Sequence, residues 1–238
     1  VVDDGAGGTN RKTAASRLKT YIDPITHKTE GTNFTNSLLI GHATTGTLNA
    51  AQKNTGVGLA ALDAITSGDD NTALGYQAAS ALNTATNNTL LGSQAGKAVT
   101  TSRYNTAIGS FALLSQTTGN STTGANVAVG RSALQLATGA YNIAVGRGAG
   151  ENITSGDGNV IIGSINADSA TGDKQLIIAD GEDGSVAWIK GDSSGNVTLG
   201  GNLIIGSATV TEAQLEVLDG ATITTTELNL IDGGATIG

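Results

Sequence analysis

His27 and His42 are the only imidazoles in the chain, which has no cysteine. A transition-metal site needs three or four closely spaced N, S or O donors, so both histidines are expected at the surface. The run GRGAG at 146–150 imitates a phosphate-cradling fingerprint. Its glycines, however, fall on the beat of a repeat that explains them without a nucleotide. DGEDG at 180–184 offers oxygen donors, but it lacks the later bidentate glutamate of a calcium loop and stands between two apolar runs, where a turn is expected. Polysaccharide-cutting spikes use paired carboxylates. Here the acids cluster in turns, and only 3% of residues are aromatic, so a depolymerase is a minor alternative. The chain is expected to be no enzyme and to carry no catalytic residue, metal or cofactor.

Two groups of residues suggest binding instead. Arg131 and Arg147 each follow a glycine of the repeat. On adjacent rungs about 5 Å apart such charges repel unless an anion or carboxylate intervenes, which makes them a candidate anion-binding pair. The tandem TTGNSTTGAN at 117–126 adds polar residues to a regular stack. Protruding loops on rigid scaffolds are common recognition sites, so Thr117, Thr118, Asn120, Ser121, Thr122 and Thr123 form a candidate receptor-binding loop; an insertion with no role is the alternative.

The element that positions all of these is written in near copies of one octet: NTALGYQA at 71, NTLLGSQA at 88, NTAIGSFA at 105, NVAVGRSA at 126 and NIAVGRGA at 142. Its glycines are Gly41, Gly58, Gly75, Gly92, Gly109, Gly130, Gly146 and Gly163, spaced 17, 17, 17, 17, 21, 16 and 17 residues apart. Four residues ahead of each stands Ser37, then Asn54, Asn71, Asn88, Asn105, Asn126, Asn142 and Asn159. A period this short fits neither a heptad nor a helical repeat. It fits one coil of a parallel β-solenoid, a closed circuit of roughly 50 Å at about 3.3 Å per residue, and the copies would stack to about 40 Å.

Columns down the stack carry expectations about burial. One residue before the glycine lie Ile40, Val57, Leu74, Leu91, Ile108, Val129, Val145 and Ile162; three before it lie Leu38, Thr55, Thr72, Thr89, Thr106, Val127, Ile143 and Val160. Period-two alternation puts these on one face, expected to be the inside of the coil. Between them run Leu39, Gly56, Ala73, Leu90, Ala107, Ala128, Ala144 and Ile161. Never charged and mostly small, this column is expected on the opposite face, covered by another chain. Leu48, Ile65, Leu82, Val99 and Ile153, seven residues after the glycine, predict a second apolar contact and a second strand per coil. The asparagines are expected at corners that tolerate the left-handed region while their amides stack in a ladder. An ice-binding solenoid, another minor alternative, would need the threonine column outside.

The octets resemble the head repeats of trimeric autotransporter adhesins over residues 36 to 166. That resemblance implies a left-handed parallel β-roll in a homotrimer. The flanks, VVDDGAGGTNRKTAASRLKTYI at the start and the paired EAQLEVLDGATI and TELNLIDGGATI at the end, resemble modules of marine bacteriophage tail fibres, particularly those of cyanophages. Together they imply a homotrimeric virion fibre segment that projects or presents a host-receptor-binding region. Its implied partners are its own copies, other tail proteins and a host receptor. The runner-up is the head of a bacterial trimeric surface adhesin.

The expected organisation is an N-terminal joining segment with a short helix at 1–31, the solenoid at 32–166, a β-meander at 167–206 and short strand-helix fibre repeats at 207–238. The meander is read from KQLIIAD, GSVAWIKG and GNVTLGGNLIIG between turn-forming runs, and the helices from Leu spacing after Thr caps. Trp188, the single tryptophan, is expected in a core or interface. A net charge of -8 gives nucleic-acid binding little support, and no apolar run reaches membrane-spanning length. With no Met, the chain is expected to be a processed product or a piece of something longer, continuing past Gly238.

Overall fold

The computed structural model describes residues 27–31, 33–41, 45–117, 124–205 and 208–210. Among them every regular element is a strand. Of the segments where short helices are expected, 1–31 and 207–238, the described residues 27–31 and 208–210 are strands, and the rest lie outside the described residues.

Each repeat contributes one three-residue strand ending at the residue before its glycine. These are β4 (Thr55–Val57), β5 (Thr72–Leu74), β6 (Thr89–Leu91), β7 (Thr106–Ile108), β8 (Val127–Val129), β9 (Ile143–Val145) and β10 (Val160–Ile162). They stack in parallel on the last three residues of β2 (Phe34–Ile40), while β3 (Ala51–Gln52) pairs with the start of β2. The register never slips: Thr55 faces Thr72, Thr72 faces Thr89, and Thr106 faces Val127 across the 21-residue spacing. Inserted residues therefore leave the stack undisturbed. The chain is an all-β parallel solenoid of about eight turns, about 17 residues per coil.

Parallel stacking runs one rung past residue 166. β11 (Leu176–Ala179), assigned to a meander from sequence, pairs in parallel with β10, and only then does β12 (Ala187–Gly191) reverse direction. At the other end β1 (His27–Gly31) runs antiparallel to β2. Reversed strands thus flank the parallel stack at both ends, where an open edge would recruit further chains. β13 (Val197–Leu199) lies at the boundary of a second compact unit, residues 198–238. Within that unit β14 (Leu203–Ile205) and β15 (Ala208–Val210) form an antiparallel hairpin.

The two faces of the strands are the reverse of what the sequence led us to expect. The middle column, Leu39 through Ala73, Leu90, Ala107, Ala128 and Ala144 to Ile161, is fully buried inside its own chain. The flanking aliphatic and threonine columns point outward, and none of their residues is buried. The cause is the width of the coil. The opposite wall supplies Leu62, Leu113 and Leu134, all buried, so small strand residues are needed where the wall is large. Gly56 shows the limit: a Cβ there would collide with Leu39 and come within 3.3 Å of Leu62. Gly96 shows the converse, because a side chain there would start 2.7 Å from Leu90. Large and small residues alternate across the interior, as close packing demands.

The second apolar contact is present, with Ile65, Leu82, Val99 and Ile153 fully buried, but it does not form a second strand. Its backbone instead makes rung-to-rung bonds through left-handed residues. Ala79, at φ 53°, donates its N–H to Ala95 O at 3.0 Å. At the same column in the longer coil stands Gln116, buried between Ser102 Oγ at 3.2 Å and the amide of Asn126 at 3.1 Å.

Two ladders fix the spacing of the rungs. Gly92 sits at φ 136°, and a Cβ on it would lie 2.5 Å from Gly109 O on the next rung. Both facts exclude any other residue, and the neighbouring glycines repeat them. The asparagines form the second ladder. Asn71 Oδ1 accepts from the backbone N–H and the Nδ2 of Asn88 at 3.1 and 3.0 Å, while Asn71 Nδ2 donates to Ala85 O at 2.9 Å. Ser37 begins this buried ladder and Gln175 ends it. The asparagines are not themselves left-handed. That conformation belongs to the residue before each one, such as Asp70, Tyr104 and Tyr141.

Candidate functional site

The outward strand face runs without a break in register along the solenoid. It carries two residues per rung from Leu38 and Ile40 to Leu176 and Ile178, in register throughout. Ile189 of β12 extends it opposite Ile178. Not one of these residues is charged. Leu74 remains half exposed, and Ile108, Ile143, Val145 and Ile162 are each more than a third exposed. Half of the face differs from the other half: Thr55, Thr72, Thr89 and Thr106 line one edge, whereas Val127, Ile143 and Val160 continue it as pure aliphatic. Exposed aliphatic side chains repeated in register along a surface are the kind of feature that marks an interaction site.

The column after the glycine is more varied. Arg131 and Arg147 are exposed on adjacent rungs, and neither forms an ion pair among the described residues. Ser164 on the next rung donates its hydroxyl to Arg147 O at 2.9 Å. Of the candidate loop, Thr117 is exposed and its carbonyl accepts from Ser102 Oγ; Thr118, Asn120, Ser121, Thr122 and Thr123 lie outside the described residues. His42 lies outside them too, and His27 falls on β1. No cluster of three metal-ligating side chains occurs among the described residues, and no helix among them is long and apolar enough to cross a membrane.

The DGEDG run is a turn closed by its own first acid. Asp180 Oδ1 accepts the N–H groups of Glu182, Asp183 and Gly184 at 3.0 Å each, and Oδ2 accepts that of Val186 at 2.8 Å. These bonds, the one from Val186 foremost, pull its pKa down from 3.8 to about 2. Asp192 closes the next turn, its pKa lowered chiefly by the Asn196 side chain and then by the Asn196 N–H. Of the carboxylates in this run, those of Asp180 and Asp183 accept backbone amides. Trp188 on β12 is 54% exposed, so a core position is excluded within the single chain.

Columns counted from the glycine missed Tyr104 and Tyr141, which stand exposed on one corner of the coil. The signal was there: each is the residue before its ladder asparagine.

Comparison with known proteins finds no family model that matches the chain, and no curated protein or solved structure that matches it either.

Proposed function

We propose that the chain is a non-enzymatic structural segment of a phage tail fibre, in which three copies pack side by side and present a host-receptor-binding region. One observation carries this reading: the uncharged outward face, aliphatic and threonine, repeated in register along the whole parallel stack. Burying such a face is worth about 25 cal/mol per Å² of apolar surface, and the single chain leaves it bare. Copies of the same face are its natural cover, because identical rungs present identical spacing. The resemblance of the octets to adhesin heads supplies the number three, and the flanking segments favour a virion over a bacterial surface. Stacked coils give stiffness, and three copies multiply weak contacts. Immunogold labelling of virus particles with antibody raised against the chain tests the reading. Gold along tail fibres supports it; gold confined to bacterial surfaces favours the adhesin head.

A second reading rests on the outward threonines. Thr55, Thr72, Thr89 and Thr106 stand in one column on the solvent side, which is where an ice-binding face needs them. A face sealed by other copies cannot meet ice. Thermal hysteresis by the purified chain would favour ice binding, and its absence favours the fibre.

A further inference from the structure

The residue before each ladder asparagine lies in the left-handed region, at Lys53, Asp70, Asn87, Tyr104, Ala125, Tyr141 and Gly158, as does Lys174 before the closing Gln175, with φ between 45° and 68°. Asparagine, aspartate and glycine suit that conformation. A bulky aromatic there is an outlier, and its strain is not offset by burial, since Tyr104 and Tyr141 are 55% and 56% exposed. An exposed aromatic held in such a conformation is an outlier from which a functional hypothesis can be drawn. Two of them share one corner, rooted two rungs or about 9.6 Å apart. Between them in the column stands Ala125, whose side chain is a single methyl.

The corner is also rigid. Tyr141 N–H donates to Gly124 O at 2.8 Å and Tyr104 N–H to Thr86 O at 3.2 Å, while Arg103 O accepts from Gly124 and Ala125 at 3.1 and 2.9 Å. Arg103 itself is exposed and has no ion-pair partner among the described residues.

We propose that Tyr104 and Tyr141 form a glycan-binding site in which the C–H faces of hexopyranose units along one polysaccharide chain stack on the two phenol rings, with Arg103 donating to sugar hydroxyl or carboxylate oxygens. A shallow, water-exposed surface with two amphipathic rings suits a ligand that is apolar on its ring faces and hydroxylated at its rim. Nucleobases stack equally well on aromatics, but a chain of net charge -8 repels their phosphates. The proposal names a ligand class for the receptor-presenting region and rests on that reading only for the gain from three copies.

The test is retention of the full chain on an array of purified bacterial lipopolysaccharides, capsular polysaccharides and neutral glucans. Titration calorimetry with an oligosaccharide of the retained species follows. Tyr104→Asn and Tyr141→Asn each weaken binding at least tenfold and the double variant abolishes it, while Tm stays unchanged or rises because asparagine suits the left-handed corner. Tyr104→Phe keeps binding, and Tyr76→Asn, an exposed tyrosine off this corner, leaves it intact. Retention on no arrayed glycan, undiminished affinity in the double variant, or lost binding with a fall in Tm of several degrees each overturns the site. Sedimentation of the same sample separates the two readings. A trimer that binds no glycan removes the site and leaves the fibre; a monomer with tyrosine-dependent binding does the reverse.

Discussion

The inner and outer faces of the same three-residue strands obey different rules. Inward, residues range from Gly56 to Leu90, and at both extremes the wall across the coil matches them: Leu62 lies against Gly56 and Gly96 against Leu90. Outward, every residue is threonine, valine, isoleucine or leucine, none is charged, and the chain buries none of them. Volume matching is the signature of a surface buried by its own chain. Monotony is the signature of a surface whose neighbour is the same at every rung.

The largest effect should come from the inner face. Leu90→Ala removes a fully buried side chain beside Gly96, which cannot fill the gap, and should cost about 4 kcal/mol in denaturant unfolding. Gly92→Ala comes next, at about 3 kcal/mol, because it forces a Cβ into a Gly-only conformation against the next rung. Asn88→Ala should cost about 2 kcal/mol, since Asn105 N–H and Nδ2 lose their buried acceptor and Ser102 O its donor. Leu74→Glu on the outer face should change the unfolding free energy of the isolated chain by less than about 0.5 kcal/mol and yet dissociate the assembly. If it destabilised the single chain as much as Leu90→Ala, the distinction between the faces would fail.

The smallest effect lies outside the rungs, in the turn capped by Asp180. Its folded pKa of about 2 is below the ordinary 3.8, so the ionised form is the one the fold favours. That contribution is complete above about pH 5 and is lost as pH falls through the folded value. Amide exchange at Glu182, Asp183, Gly184 and Val186 should speed up over this window in excess of the solvent trend. Asp180→Asn should remove the pH dependence.

Much of the architecture could be read from spacing alone. Glycine and asparagine columns at a period of 17 determine a parallel stack in register, since nothing else returns both residues to the same place. Which parity of the strand faced inward could not be read that way. Hydrophobicity favoured the column of Leu74 over that of Ala73, whereas the interior takes a small residue where the opposite wall is large, as Gly56 against Leu62 shows. The second strand failed for a related reason: residues such as Ala79 and Leu113 adopt left-handed backbone, which no propensity for extended chain anticipates. The tyrosine pair was hidden because it matters by column and conformation, not by any local motif.

Side-by-side packing of copies through the outer face is tested most directly by the mass of the purified chain in sedimentation equilibrium, together with that of Leu74→Glu. Three times the 23.5 kDa chain mass is expected for the first, and the chain mass itself for the second. A folded, soluble 23.5 kDa species for the unaltered chain would contradict it, because its aliphatic face would then need no neighbour.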